Sequence, residues 1–318
     1  MLLTSGKYGW LGVQVFFVIS GFVIPYAMHR ANYTISSYGR FLLKRITRLD
    51  PPYLLSIGLI IAYQYALTTR PSYQGAPFHL SIPQVLCHFA YVNVIFGYEW
   101  FNDIFWSLAI EFQYYLVVGL LFPILFSRGE RTRYLSLVGL VLLSFIPHTQ
   151  AFIFPYLGFF LLGFVTLFHH LKKMALKHYL AWMLFLFASL LFTAGLIPAI
   201  VGAASASIIT WVRLDFRILS FFGLISYSLY LLHWPLGWPI LGFVQSRTGS
   251  AHLALVVAVV VTIFAALMYY LVIERPSQLL SSRFSYRSIS SRPAAGVLVA
   301  GAIRSDGLRD AMIQRDQA

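Results

Sequence analysis

Four side chains in this 318-residue sequence have the type and setting to do chemistry: Arg45, Arg48, Glu111 and His233. Arg45 and Arg48 stand at i and i+3 within residues 36–53, SSYGRFLLKRITRLDPPY. Two guanidinium forks at that spacing share a helical face and can hold a phosphate-bearing group through paired hydrogen bonds. The same segment has a second reading. Arg40, Lys44 and Arg48 recur every four residues, while Phe41, Leu42, Ile46 and Leu49 supply apolar surface, as in a basic interfacial helix that binds anionic headgroups. Ser36 or Ser37 is the expected cap of this helix, and Pro51-Pro52 its expected stop.

Glu111 lies in WSLAIEFQYYL, residues 106–116, inside an apolar stretch. A carboxylate at such a depth costs about 2.5–3.5 kcal/mol unless it is paired, protonated or hydrated. Ser107, Glu111 and Tyr114 or Tyr115 share a helical face, so these groups are expected to line an interior cavity or to lock helix packing by hydrogen bonds. His233 closes SYSLYLLHWP, residues 226–235, on a face with Ser226 and Tyr230. It is a candidate catalytic side chain alongside Glu111, the alternative being an interfacial residue beside Trp234. Glu274-Arg275-Pro276 ends the last apolar stretch, where the proline is expected to stop the helix. His79 and His88 fit no pattern. The single cysteine, Cys87, excludes an internal disulfide and a zinc site built on paired thiolates, and no metal is expected.

The elements that must position these residues follow from composition. With 59% hydrophobic and 10% charged residues and a mean hydropathy of +0.76, the chain is that of a polytopic, all-α membrane protein. Apolar stretches recur at about 9–28, 52–69, 104–126, 135–147, 151–168, 180–195, 197–212, 218–236 and 252–273. Nine such spans leave room for short loops but for no extramembrane catalytic domain. Residues 9–28 are too long for the apolar core of a signal peptide and are expected to be retained. With segment 83–97 lying at the outer surface, 20 of the 23 basic residues fall on one side, leaving Lys7, Arg70 and Arg247 on the other. That bias sets the N-terminus outside and the C-terminus in the cytoplasm, so the net charge of +13 records orientation and gives no reason to invoke nucleic acid. Residues 1–276 form the membrane domain, and 277–318 read as a Ser/Arg-rich, disordered cytoplasmic tail.

Five segments in order, GWLGVQVFFVISGFVI, KRITRLDPPY, WSLAIEFQYYL, SYSLYLLHWP and IERP, resemble acyltransferase family 3, integral-membrane enzymes that move acyl groups, most often acetyl, to hydroxyls of surface carbohydrates and other acceptors. The resemblance implies a ten-helix bundle in a bacterial cytoplasmic membrane, with cytoplasmic acetyl-CoA as donor and a carbohydrate or lipid-linked glycan acceptor at the outer face. It matches Arg45 and Arg48 to the family's paired arginines in donor handling and Glu111 to its WSLxxE glutamate. The chain starts at MLLTSGKYGW, just before what would be the second helix, so the family's first helix, with its Arg and its His, is expected to be absent. Two other classes remain open on the residues alone: a transporter or flippase-like bundle, and an N-terminally truncated, inactive family member.

Overall fold

The computed structural model describes residues 6–284, apart from 72, 76, 128, 147, 148, 150 and 213–215. The expected tail, from 285 on, lies outside the described residues. Among those residues there is no strand, and nine helices stand where the nine apolar stretches were expected: α1 (Gly12–Arg30), α2 (Tyr38–Thr68), α4 (Phe105–Ser127), α5 (Glu130–Leu143), α6 (Leu157–His170), α7 (Leu176–Thr193), α8 (Leu196–Trp211), α9 (Arg217–Thr248) and α10 (Ala251–Tyr269). Two short helices complete the set, α3 (Ile82–Ala90) and α11 (Arg275–Ser282). Five helical stretches are long and apolar enough to cross a membrane: Gly9–Arg30, Phe105–Phe126, Leu176–Thr193, Arg217–Thr248 and Ala251–Ser282. The chain is an integral membrane helical bundle. α5 and α6, at 14 residues each, rise only about 21 Å, short of the ~30 Å apolar core of a bilayer.

Segment 83–97 does not cross. Its helix, α3, has nine residues, opens on Ser81, which accepts from the Gln84 N–H at 3.5 Å, and ends on Tyr91 in the left-handed conformation. α6 is buried on every side from Leu157 to Phe168, as a helix at the centre of a bundle must be. It crosses α1 with backbone nearly against backbone. A Cβ on Gly21 would fall onto the Phe160 carbonyl, and one on Gly163 onto the Val18 carbonyl. With no aqueous hydrophobic effect to drive helices together inside lipid, this small-residue contact is how two membrane helices gain packing energy.

Two expected helix stops are corrected. α2 runs unbroken through Pro51 and Pro52, so the basic segment and the following apolar stretch form one 31-residue helix. Proline removes ladder bonds, and tyrosines of neighbouring helices brace this stretch of α2. The Tyr227 hydroxyl donates to the Leu49 carbonyl at 2.8 Å, and the Tyr269 hydroxyl to that of Pro52. Pro276 likewise does not end its helix. A π-helical turn, Tyr270–Glu274, passes α10 into α11, and Pro276 follows directly on this irregular turn, in the first turn of α11. Helix therefore continues to Ser282, past the boundary expected at 276. Ser37 does occupy the N-cap of α2, but its side chain makes no capping bond, because a 3-10 turn at Ile35–Ser37 leads into the helix.

Two apolar cores result. One gathers α1, α4, α6 and α7 around Phe17, Phe160 and Tyr179; the other gathers α2, α4, α9 and α10 around Tyr53, Phe105, Leu231 and Tyr269. α4 is shared, with Leu108 and Ala109 in the second core and Ile110, Tyr114 and Tyr115 in the first. Glu111 falls at the seam.

Candidate active site

Glu111 is buried, 6% exposed, and its carboxylate is partnered. The Ser20 hydroxyl of α1 donates to Oε1 at 3.1 Å, and Tyr115, one turn along α4, hydrogen-bonds to the same group. Arg45 of α2 lines the same cavity as Glu111. Its guanidinium carbon lies 5.4 Å from the Tyr115 ring centroid and 5.6 Å from that of Phe41, a cation held over two aromatic faces. Arg45 and Arg48 are the positive charges acting on Glu111. Arg45, Asp50, Tyr91, Glu111, Tyr115 and Tyr227 line one small cavity of about 10 Å³ at the seam, room for a single water. A buried carboxyl group with a guanidinium beside it can take up a proton and stabilise negative charge on oxygen.

Tyr91 is the wall of this cavity towards the α3 end of the bundle. Its φ of 58° is a strained conformation for an aromatic residue, held because α3 ends there and because its ring is stacked between Tyr53 at 4.9 Å and Phe112 at 5.1 Å. Its hydroxyl donates to Asp50 Oδ1 at 3.0 Å. His88 fixes the turn from beneath. It is fully buried, its ring stacks on Phe101 at 4.4 Å, its Nε2 accepts the Phe101 N–H at 3.1 Å, and its Nδ1 lies 2.8 Å from the Gln84 carbonyl. Burial pushes the His88 imidazole below its ordinary value, so it stays neutral and serves as a structural pin.

The four sequence candidates do not all meet. Arg45 and Glu111 share the cavity. Arg48 is on the exposed side of α2, one turn further along. His233 is elsewhere: it is exposed on α9, its Nδ1 lies 2.7 Å from the Tyr230 carbonyl, and it lines an apolar crevice between α9 and α10 with Trp234 and Trp238. Of the polar residues near it in sequence, Tyr230 joins α4, pairing with the Ser107 hydroxyl and donating to the Ile104 carbonyl at 2.7 Å. Sequence reasoning passed over Asp50, Tyr91 and Tyr227. Asp50 carried a signal, a carboxylate inside a basic run, whereas Tyr91 and Tyr227 are two among 20 tyrosines.

Glu274, of uncertain purpose in sequence, is a buried hub. It accepts from the Ser228 N–H at 3.1 Å, from the Ser228 hydroxyl, and from Gln278 Nε2 at 2.9 Å, tying α9 to the π-helical turn. Glu274→Ala leaves the buried Ser228 hydroxyl without its acceptor, which costs about 1–3 kcal/mol. The expected result is a thermal unfolding midpoint several degrees lower in detergent; an unchanged midpoint would show that the hub does not hold the two helices.

The acyltransferase domain family matches residues 9–271, from the turn before α1 into the π-helical turn. The chain belongs to acyltransferase family 3. Among curated proteins, "Putative acetyltransferase ORF330" of Acidianus two-tailed virus is 29% identical over 163 residues, covering 51% of this chain. The matched stretch spans only 44% of that relative. No solved structure matches the chain. The acyltransferase family match takes in both halves of the cavity, the basic part of α2 and the Glu111 turn of α4.

Proposed function

We propose that the protein is a membrane O-acyltransferase that moves an acetyl group from cytoplasmic acetyl-CoA to a hydroxyl of a cell-surface or exported carbohydrate. The observation that carries this reading is the meeting of Arg45 and Glu111 in one cavity where the basic half of α2 packs on α4. The exposed Arg40 and Arg48 and the half-buried Lys44 stand at four-residue spacing on α2, a row of cations suited to the phosphates of the donor. The donor supplies an activated acetyl thioester. Glu111 takes the proton from the acceptor hydroxyl as its oxygen bonds to the acyl carbon. Arg45 faces the oxygen on which negative charge develops. The carbon–sulfur bond then breaks, and the proton leaves Glu111 with the departing sulfur. A cavity this small has to widen to admit an acyl group.

We place the protein in a bacterial cytoplasmic membrane, and the basic bias supports an orientation with the C-terminus inside and the N-terminus of this chain outside. Purified protein given radiolabelled acetyl-CoA and the exported glycan of its host is expected to label the glycan; labelling no greater than that of protein-free vesicles rejects the proposal. The two arginines should separate in kinetics. Arg45→Ala is expected to lower kcat, because it faces the reacting oxygen, whereas Arg48→Ala raises the KM for acetyl-CoA with kcat little changed. Equal effects on both parameters in both variants would reject the division.

A further inference from the structure

The crevice between α9 and α10 that holds His233 has a volume of about 660 Å³, in the range of small-molecule sites. Both helices are long and apolar enough to cross the membrane, and Trp234, Trp238 and Val259 on its wall are exposed, so it opens towards lipid. Its lining on α9 runs from Phe222 to Leu241, a rise of about 28 Å, close to the ~30 Å apolar core of a bilayer. Among the described residues, no Lys, Arg, Asp or Glu lines it. The polar side chains on the wall are few, and all but one are committed. The Ser226 hydroxyl donates to the Gly223 carbonyl at 2.9 Å. The Tyr230 hydroxyl is turned to α4, where it donates to the Ile104 carbonyl. The Thr262 hydroxyl is buried against Gly237, a Cβ on which would stand 3.6 Å away. His233 differs, because it is exposed and its ring is fixed through one nitrogen. Nδ1 lies 2.7 Å from the Tyr230 carbonyl, and a carbonyl only accepts, so Nδ1 carries the hydrogen. The neutral ring then keeps its lone pair at Nε2, which has no partner among the described residues.

We infer that the crevice is a binding site for an uncharged lipid alcohol, a long hydrocarbon chain whose single hydroxyl donates to Nε2 of His233. Each property of the ligand answers a property of the wall. From His233 to Phe222 the apolar lining offers about 16 Å for the chain. A phosphate or ammonium head group would meet no opposite charge there and would be left with the cost of its desolvation. The one free, accessible polar atom is an acceptor, so the ligand must bring a hydrogen, which an alkane or an ether lacks. None of the residues lining the crevice lines the cavity of Arg45 and Glu111, so the site is separate from the proposed chemistry and independent of it.

The test uses the full chain in phosphatidylcholine nanodiscs, photolabelled with a tetradecanol that carries a diazirine in its chain, with labelled peptides read by mass spectrometry. Labels are expected on α9 and α10 between Phe222 and Ile263. Unlabelled 1-tetradecanol should compete, and tetradecyl methyl ether, which has the same chain and no O–H, should compete roughly tenfold less well, the loss of one hydrogen bond. His233→Phe keeps a ring without the acceptor and should erase the difference between alcohol and ether. His233→Gln, whose amide oxygen accepts, should restore part of it. Gly237→Leu has room at its Cβ and extends a side chain into the crevice, so it should remove the labelling. The site is overturned by an absence of label on these helices, by equal competition from alcohol and ether in the parent, by a preference for the alcohol that survives His233→Phe, or by labelling retained in Gly237→Leu. Equal competition by phosphatidylglycerol would show a general lipid surface, and cross-links between two copies of the chain in place of lipid labels would assign the crevice to a second protomer; either also overturns it. Acetyl transfer plays no part in the readout, so failure here leaves the proposed acyltransferase function standing.

Discussion

Glu111→Gln is expected to lower acyl transfer by roughly 10²- to 10⁴-fold, the range for loss of a positioned general base, while the protein still folds. The substitution is close to isosteric, and the amide oxygen can go on accepting from the Ser20 hydroxyl, so the contact between α1 and α4 survives. What is lost is the capacity to hold a proton and the negative charge facing Arg45. A group buried to this extent is a poor candidate for replacement by bulk water, because the cavity holds about one molecule. The loss should therefore appear in kcat and not in the KM for acetyl-CoA. Initial rates with radiolabelled acetyl-CoA measure it, and a Gln variant within twofold of the parent would remove Glu111 from the chemistry. The double variant Glu111→Gln, Arg45→Ala should be little worse than the poorer single one, because two groups that act on one transition state do not contribute additively. Additive losses would place them in different steps.

Much of this site was legible in the residues because a charge inside an apolar helix is conspicuous. Glu111 declared itself by its cost, and the basic run of α2 by its repeat. Arg45 and Arg48 could not be told apart, since at i and i+3 both share one face of an isolated helix; only the packing of α4 against α2 turns the first inward and leaves the second at the surface. His233 does not meet Glu111, and the sequence could not show this for a related reason. Periodicity sets which residues of α9 are neighbours, but not how α9 is rotated against α4, and the rotation found brings Tyr230 to Ser107 while His233 faces the α10 crevice. The proline stops are absent because a rule about isolated helices met a bundle: Tyr227 and Tyr269 brace α2 across Pro51 and Pro52, and a π turn precedes Pro276. Tyr91 could not have been found at all: its importance comes from a left-handed backbone and two flanking rings, and neither is written in the letters around it.

Gly163→Ala is expected to be strongly destabilising, although the same change at most helical positions helps. In a helix interior, alanine is favoured over glycine by roughly 0.5–1 kcal/mol because it restricts the unfolded chain. Gly139, on α5, has nothing within 4 Å of where its Cβ would stand, so Gly139→Ala should raise the unfolding midpoint slightly. At Gly163 the added methyl would fall onto the Val18 carbonyl and within 2.7 Å of the Phe22 amide nitrogen, and both are backbone atoms that no rotamer change can move aside. α1 must then retreat from α6 as a body. Overpacking of this sort costs about 1–3 kcal/mol even where side chains can adjust, and here they cannot. The displacement reaches the site directly, because Ser20, which donates to Glu111, lies on α1 beside Gly21, the other half of the crossing. Gly163→Ala should therefore lose activity beyond its loss of folded protein, and Gly163→Leu should not yield a monodisperse protein at all. Thermal unfolding and size-exclusion profiles of the three variants in one detergent decide the matter. Gly163→Ala and Gly139→Ala shifting the midpoint by the same amount would show that the two helices do not meet as closely as the structure places them, and the support of Glu111 by Ser20 would fall with that contact.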